Sequence, residues 1–189
     1  MAPIEYYAYL HQFDCIIEIN DFFVKQTLRN RCDIYGANGR LNLTVPKARK
    51  SSSKTILKDI KISYDHKWQK EHWQSLMSSY RSSPFFEYFE DELDALFHKK
   101  YTNLVDLNLE MMTFISSKIG ISTEFKFTTK YSQETEHNDL RNYKFNTANF
   151  PRYIQVFENK HGFISNLSIL DLLFNEGNNS KYYLESLKL

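Results

Sequence analysis

The residues best suited to chemistry are two arginines on one face of a predicted strand. Arg29 and Arg31 flank Asn30 at the start of the stretch TLRNRCDIYGANGRLNLTVP. Alternate residues of a strand lie about 7 Å apart on the same face, so both guanidinium groups can converge on one phosphate or carboxylate. An ion pair with Asp33 on a solvated face also explains the pattern. Asn30 faces the apolar side, where its amide needs a hydrogen-bond partner. Arg29, Asn30 and Arg31 are therefore candidate substrate-binding residues.

Two histidines are candidate catalytic residues. His72 follows Trp68 by one helical turn, and His161 precedes Gly162 in a predicted loop. A histidine changes charge near neutral pH, so either side chain can serve as a general base or as a hydrogen-bond donor. Burial of His72 against Trp68 is the structural alternative. Arg81 ends the predicted helix that carries His72, and it is a further substrate-binding candidate, although the helix dipole also favours a cation there.

A third polar cluster lies in the segment YIQVFENKHGFISNLSILDLLF. It contains Gln155, His161, Ser168 and Asp171. The order of strand end, glycine-containing loop and helix N-terminus is typical of sites for anions or polar ligands, because unpaired backbone amides point at the ligand. Gln155 is the candidate for substrate binding in this cluster. Ser168 and Asp171 are more simply explained as helix caps.

Motifs that identify common catalytic classes by their spacing are absent from the sequence. It contains no phosphate-cradling glycine-rich loop with its lysine, no GxSxG, no HExxH and no paired CxxC. This argues against ATP hydrolysis by a P-loop, α/β-hydrolase chemistry and structural zinc. Cys15 and Cys32 have no partners at metal-ligand spacing, so we expect reduced, buried thiols. The sequence predicts no metal site and leaves the cofactor unknown.

Composition predicts one domain without a membrane or nucleic-acid partner. A chain of 189 residues fits a single domain. Its 24 basic and 23 acidic residues leave a formal charge of +1, so no overall field attracts nucleic acid or an anionic membrane. No apolar run approaches the length of a membrane span, and no export signal is recognised. We therefore expect a cytoplasmic protein without a transmembrane segment, whose oligomeric state is open.

Apolar residues recur three or four positions apart in five segments, which predicts five helices. These segments start near Pro3, Asp65, Ser83, Asn103 and Ser168. Runs with strand character predict strands at residues 15–19, 57–63, 123–129 and 153–157. Residues 27–46 predict a hairpin, whose GANG turn supplies residues that tolerate positive φ. The polar segments 47–55 and 132–139 are expected to be loops, the first of them mobile.

The predicted elements indicate the fold class. Alternation of helices and strands favours an α/β fold, a single domain with a mixed sheet, a β-hairpin and a cluster of central helices that pack against the sheet. A more segregated α+β arrangement is the alternative.

Four stretches, in their order along the chain, resemble the WbqC-like protein family. They are APIEYYAYL, LRNRCDIYGANGRLNLTVP, the predicted helix of residues 68–84 with its continuation YRSSPFFEYF, and YIQVFENKHGFISNLSILDLLFNEG. The resemblance implies that residues 1–189 form one WbqC-like domain. The family motif usually begins with a short apolar strand before the residues aligned with 2–10, so we expect this chain to lack the family's first strand.

The resemblance implies a transferase of bacterial surface-polysaccharide (O-antigen-like) biosynthesis that moves glycine or another acyl group to a sugar. Arg29 and Arg31 would then hold a nucleotide-sugar or amino-acid-derived ligand, and His161 or His72 would deprotonate the acceptor, which Gln155 would orient. A non-catalytic binding or assembly protein of the same pathway is the alternative. A nucleotide-binding enzyme unrelated to polysaccharides is a third option.

Overall fold

The computed structural model describes residues 1–48, 54–133, 138–145 and 150–189. The helices are α1 Ile4–Gln12, α2 Trp68–Tyr80, α3 Phe86–His98, α4 Leu104–Ile119, α5 Glu158–His161, α6 Ile169–Glu176 and α7 Ser180–Ser186. The strands are β1 Ile16–Ile17, β2 Arg31–Gly36, β3 Gly39–Thr44 and β4 Lys126–Phe127, and single turns of 3₁₀ helix occupy Leu57–Asp59 and Gly177–Asn179.

The predicted hairpin is confirmed. β2 and β3 pair in antiparallel register from Arg31 opposite Thr44 to Gly36 opposite Gly39, so residues 37–38 form the turn. Gly39 adopts a φ of 97°, a conformation that a residue without a Cβ reaches at little cost. Ile34 on β2 is fully buried, which anchors the hairpin on the core.

The three central helices are confirmed, and they begin and end close to the predicted residues. α4 starts after Asn103 and ends at Gly120, which has a φ of 79°. α2 begins two residues later than expected, because Lys67 and not Asp65 precedes its first turn. Trp73 on α2 packs against Phe97 on α3 with ring centroids 5.7 Å apart, so these two helices share an aromatic contact.

α6 is the most deeply buried helix. All residues from Ile169 to Asn175 are buried, and a helix that is apolar on all sides belongs in a core. Ser168 begins the helix as predicted, since its Oγ accepts a hydrogen bond from the Leu170 amide at 3.4 Å. α1, α4, α7 and β2 all pack against α6.

The C-terminal segment joins the N-terminal helix to the hairpin. The Ile4 amide donates to the Leu167 carbonyl at 3.0 Å, and the Ser168 amide donates to the Asp33 carbonyl on β2 at 2.7 Å. Because these bonds connect residues far apart in sequence, α1 and β2 hold their relative positions through residues 167–168.

Two strand predictions are wrong. Residues 57–63 contain a 3₁₀ turn and isolated bridges, of which Lys61 to Asn103 is one, and residues 153–157 contain no strand. Tyr153 and Gln155 are nevertheless buried. Alternating apolar residues report alternating burial, and here helices and loops bury them without a neighbouring strand.

The α/β class predicted from the sequence is confirmed, because helices surround both parallel and antiparallel strands. β1 pairs with β4 in parallel, and β2 pairs with β3 antiparallel, as two two-stranded sheets in the described residues. The strands predicted at 15–19 and 123–129 are present as these short β1 and β4 segments.

In the described ranges, no helix has the length and apolar character that crossing a bilayer requires. Residues 49–53 and 134–137 of the two predicted loops lie outside the described residues.

Candidate functional site

Four of the seven candidate residues named from the sequence line one small cavity: Arg29, Asn30, Arg31 and His72. The cavity holds about 20 Å³, which is room for about one water molecule. The remaining lining residues are Met1, Leu28, Cys32, Leu43, Val45 and Asn108. The structure therefore brings the arginine pair and one of the two candidate bases together.

Three elements position the cavity's polar groups. Arg31 is the first residue of β2, and His72 lies on the buried face of α2. α2 is attached to β2 where the Tyr35 amide donates to the Tyr80 hydroxyl at 2.9 Å. From α4, the Asn108 side-chain amide donates to the Arg29 carbonyl at 2.9 Å. The backbone before β2 is thus fixed against two helices.

The two arginines of the cavity differ in their partners. The Arg29 guanidinium lies 3.5 Å from the Asp21 carboxylate, and both side chains are mostly buried. For the Arg31 side chain the described residues provide neither an ion pair nor a hydrogen bond, and its Nε is buried without a partner. The other arginines of the described ranges all pair with a carboxylate, as Arg40–Asp33, Arg81–Glu90, Arg141–Asp139 and Arg152–Glu158. A buried donor without an acceptor costs about 1–3 kcal/mol, so Arg31 is the arginine with unused binding capacity.

Asn30 has a similar unused group. Its Nδ2 donates to the Val45 carbonyl at 3.0 Å, which supplies the partner that the sequence required. Its Oδ1 is buried and has no donor in the described ranges. The cavity therefore combines one unsatisfied donor, on Arg31, with one unsatisfied acceptor, on Asn30.

His72 is neutral at physiological pH. Burial lowers the pKa of its imidazole to about 4, and a hydrogen bond to the Thr44 backbone opposes that change. The ring makes an edge contact with Trp68, with centroids 5.1 Å apart. A neutral imidazole in the same cavity as Arg31 can accept a proton or a hydrogen bond without repelling the guanidinium.

His161 lies at the hairpin turn and not at the cavity. Its Nε2 is 2.8 Å from the Ala37 carbonyl oxygen, to which it donates, and the Lys160 ammonium donates to the same oxygen at 3.0 Å. The imidazole also contacts the Tyr35 ring at a centroid distance of 6.4 Å. These contacts attach α5 to the turn between β2 and β3.

Gln155 belongs to a buried hydrogen-bond network around Asp171. Its Nε2 donates to Asp171 Oδ2 at 2.8 Å and to the Ile164 carbonyl at 2.9 Å, while its Oε1 accepts from the Ile164 amide at 2.9 Å. Asp171 also accepts hydrogen bonds from Tyr80 at 2.8 Å and from Tyr153 at 2.5 Å. Both ends of the Gln155 amide are thus occupied within the protein.

Asp171 differs from its sequence interpretation, whereas Arg81 lies at the end of α2 as expected. The Asp171 side chain points into the core and does not cap α6, and its burial raises the pKa of the carboxyl while the hydrogen bonds oppose that rise. Arg81 follows α2 directly, with a side chain that is 70% exposed and 3.6 Å from Glu90. Arg81 does not line the cavity.

Sequence reasoning missed Asn108 and the environment of Asp171. Asn108 lies one turn after Leu104 on an otherwise apolar helix face, and a polar residue in that stripe was the available signal. Asp171 fitted a capping pattern, which concealed its role in the core. In the described residues, no three His, Cys, Asp or Glu side chains converge as metal ligands do.

Comparison with known proteins places this arrangement in a family. The model of the WbqC-like protein family matches residues 2–144, most of the chain. The chain belongs to the WbqC-like protein family. Apart from Met1, every residue that lines the cavity of this WbqC-like protein lies within the matched region.

A relative and a search of solved structures complete the comparison. The WbqC-like chain is 28% identical over 127 residues to the uncharacterized protein Rv1507c of Mycobacterium tuberculosis. The match covers 63% of this chain and 54% of that protein, so it spans about half the length of the relative. No solved structure matches the chain.

Proposed function

We propose that this WbqC-like protein is a transferase of bacterial surface-polysaccharide biosynthesis, of the O-antigen type, which moves glycine or another acyl group to a sugar. The observation that carries the proposal is the Arg31 guanidinium, which has no acidic partner in the described ranges and lines a cavity with a neutral His72. A cation without an acidic partner can position an anionic donor, and a neutral base that lines the same cavity can take a proton from the acceptor.

Arg31 binds the anionic group of the donor in this mechanism. A guanidinium can donate two parallel hydrogen bonds to a phosphate or carboxylate, which fixes both the position and the orientation of the ligand. Arg29 already pairs with Asp21. It therefore contributes less to binding than Arg31, although the two lie on the same segment.

His72 takes the proton from the acceptor. As the acceptor hydroxyl or amine attacks the acyl carbon, its proton passes to the imidazole, and the bond from the acyl carbon to the donor's leaving group breaks with its electron pair. A pKa of about 4 makes the free imidazole a weak base. An anion held beside it by Arg31 raises that pKa, so donor binding activates His72. Asn30 Oδ1 accepts a hydrogen bond from the acceptor.

Substitution of Arg31 tests the proposal. Isothermal titration of the Arg31→Gln variant against nucleotide sugars, amino acids and acyl carriers should show at least tenfold weaker binding, about 1.4 kcal/mol, of whichever compound the wild-type protein binds. The melting temperature should change little, because the Arg31 side chain makes no hydrogen bond or ion pair with the described residues. Arg81→Gln is the matched control, since Arg81 is exposed and lies outside the cavity.

The acyl transfer itself, and the role of His72 in it, require a separate measurement. Mass spectrometry of a sugar acceptor incubated with the bound donor should show an added acyl group, and His72→Gln should abolish the addition without loss of donor binding. Equal affinities of Arg31→Gln and wild type, or no product under donor saturation, would refute the transferase.

A non-catalytic binding or assembly protein of the same pathway is the second candidate. Exposed apolar side chains favour it, because Phe13, Ile16, Phe22 and Val24 are each about half exposed within one short stretch. Replacement of Phe22 and Val24 by serine should then weaken retention of a pathway enzyme in pull-down experiments while donor binding is unchanged. If the protein is instead a transferase, the same two serine replacements should leave product formation unchanged.

A further inference from the structure

A second cavity adjoins the first across two shared residues. It also holds about 20 Å³, and its polar lining includes Asp33, Arg40 and Ser168. Leu28 and Cys32 line both cavities. A single aliphatic side chain and a thiol are therefore the common wall between the Arg31 cavity and its neighbour.

Leu28 is the exposed part of that wall. The residue is 37% exposed, so its side chain can move outward without leaving a packed core. The preceding turn contains Gln26, whose φ of 62° lies in the left-handed region that side-chain-bearing residues seldom adopt. Thr27 closes the turn with a local hydrogen bond from its Oγ1 to the Val24 carbonyl at 2.9 Å.

Two residues that line the first cavity with Leu28 have polar atoms without partners among the described residues. Arg31 Nε and Asn30 Oδ1 are both buried without partners in the described ranges, and burial of an unpaired donor or acceptor costs free energy. Outward movement of Leu28 would expose the region of both atoms to water or to a ligand. A ligand or water that enters when Leu28 moves outward can supply the hydrogen bonds that Arg31 Nε and Asn30 Oδ1 lack.

We propose that the two cavities are halves of one ligand groove, which Leu28 divides in this structure and which opens when Leu28 moves outward. The inference rests on the proposed function, since the anion-binding end is Arg31. At the other end, the Ser168 hydroxyl accepts, from the described residues, the long hydrogen bond of the Leu170 amide. The Asp33 carboxylate already accepts from Arg40 and Asn42, and its remaining lone pairs can accept from hydroxyl groups of a ligand. The groove therefore takes a molecule with an anionic group at one end and hydroxyl groups at the other, which is the chemistry of a sugar phosphate.

Cys32 provides a reporter of the groove that needs no ligand. Its thiol is buried in this structure and lines both cavities, so alkylation by iodoacetamide requires that the wall opens. Peptide mass spectrometry follows Cys32 and Cys15 separately in the same sample. Cys15 is partly exposed and reports any general loosening of the protein.

Leu28→Ala should raise the alkylation rate of Cys32 at least fivefold over wild type and leave that of Cys15 unchanged. Leu41→Ala is the matched control, because Leu41 is similarly exposed, at 38%, and lines neither cavity. Equal Cys32 rates in the two variants would overturn the groove.

Glucose 1-phosphate tests the ligand class. In the Leu28→Ala protein it should slow alkylation of Cys32 several-fold more than inorganic phosphate or glucose does at the same concentration. Absence of protection by glucose 1-phosphate would overturn the groove as a sugar-phosphate site.

Arg31→Gln in the Leu28→Ala background separates this inference from the proposed function. Protection that survives the loss of Arg31 leaves the groove standing and removes the anion-binding role on which the transferase rests. If Cys32 of the Leu28→Ala protein is alkylated no faster than in wild type, while donor binding still depends on Arg31, the groove is refuted and the proposed transferase function is not.

Discussion

Burial makes His72 a source of pH-dependent stability. Its imidazole titrates with a native pKa of about 4, whereas an unfolded chain gives histidine a pKa of about 6.5. Between these two values the unfolded state binds more protons than the native state, so the free energy of unfolding rises with pH across this window. The stability that neutral His72 contributes is therefore present above pH 6.5 and is lost as the pH falls towards 4.

His72→Gln should remove this contribution. On acidification from pH 7 to pH 4, the wild-type protein should lose about 3 kcal/mol more free energy of unfolding than the variant, since each pKa unit corresponds to about 1.4 kcal/mol. Urea denaturation followed by circular dichroism at several pH values measures the difference. Parallel pH profiles for the two proteins would show that His72 titrates normally in the native state.

The arginine pair shows what could be predicted from the sequence at the residue scale. Strand alternation predicted Arg29 and Arg31 on one face of a strand, but β2 begins at Arg31 and Arg29 lies in the turn before it. Alternation gave no means of ranking them, because the Asp21 partner of Arg29 comes from an irregular segment without periodicity. An ion pair with Asp33 was the structural alternative, but Asp33 pairs with Arg40 across the hairpin.

At the scale of elements, α6 is positioned by its ends as well as by its apolar faces. The Phe85 amide donates to the Phe174 carbonyl at 3.0 Å, so the start of α3 contacts the last turn of α6. Gly177 follows that turn with a φ of 53°, and a Cβ at this position would lie 2.7 Å from the Phe85 ring. The end of α6 therefore needs glycine both for its backbone conformation and for the close approach of α3.

Gly177→Ala should destabilise the protein more than Gly120→Ala. Gly120 adopts the left-handed α conformation, which costs a residue with a side chain about 1–2 kcal/mol, and a Cβ there would meet open space. Gly177 combines a φ of 53° with a ψ of −124°, which lies outside the regions that residues with a side chain occupy. The clash with Phe85 should add about 1–3 kcal/mol to the Gly177 variant alone. Chemical denaturation of the two variants measures the gap, and equal losses would mean that the Phe85 ring moves aside without cost.

Elements with strong local signals were predicted well, and those that depend on distant partners were not. Helical periodicity identified α2, α3, α4 and α6, because the repeat is a property of the segment itself. Residues 57–63 and 153–157 show strand-like alternation, yet whether a strand forms depends on a neighbour that the local sequence does not specify. The two-residue lengths of β1 and β4 follow from the same dependence.

At the scale of the whole molecule, the region matched by the family does not form the core alone. The match ends at residue 144, whereas the fully buried residues of α6 come after it. α7 packs on α1, and the Gln12 side chain on α1 donates to the Leu184 carbonyl at 2.6 Å. The N-terminal helix and the hairpin therefore pack against helices that lie beyond the matched region.

Truncation after residue 144 should abolish cooperative unfolding. Loss of α6 exposes the apolar surfaces of α1, α4 and β2, which removes far more hydrophobic stabilisation than the small net stability of a typical domain. Thermal denaturation followed by circular dichroism should show no sigmoidal transition. Removal of residues 188–189 is the control and should leave the melting temperature within a few degrees of wild type, because both side chains are exposed. A cooperative transition in the truncated chain would mean that the first 144 residues fold alone.

The contact between Trp68 and His72 gives the protein an optical property. Indole emission is quenched by a nearby protonated imidazole far more than by a neutral one, and the two rings are 5.1 Å apart. The second tryptophan, Trp73, packs against Phe86 and Phe97 of α3 and also lies 6.4 Å from the ring of His98, at the end of that helix. Each indole of the chain therefore lies beside an imidazole, and a variant that lacks His98 is needed before the acid quenching of the remaining emission reports the charge of His72.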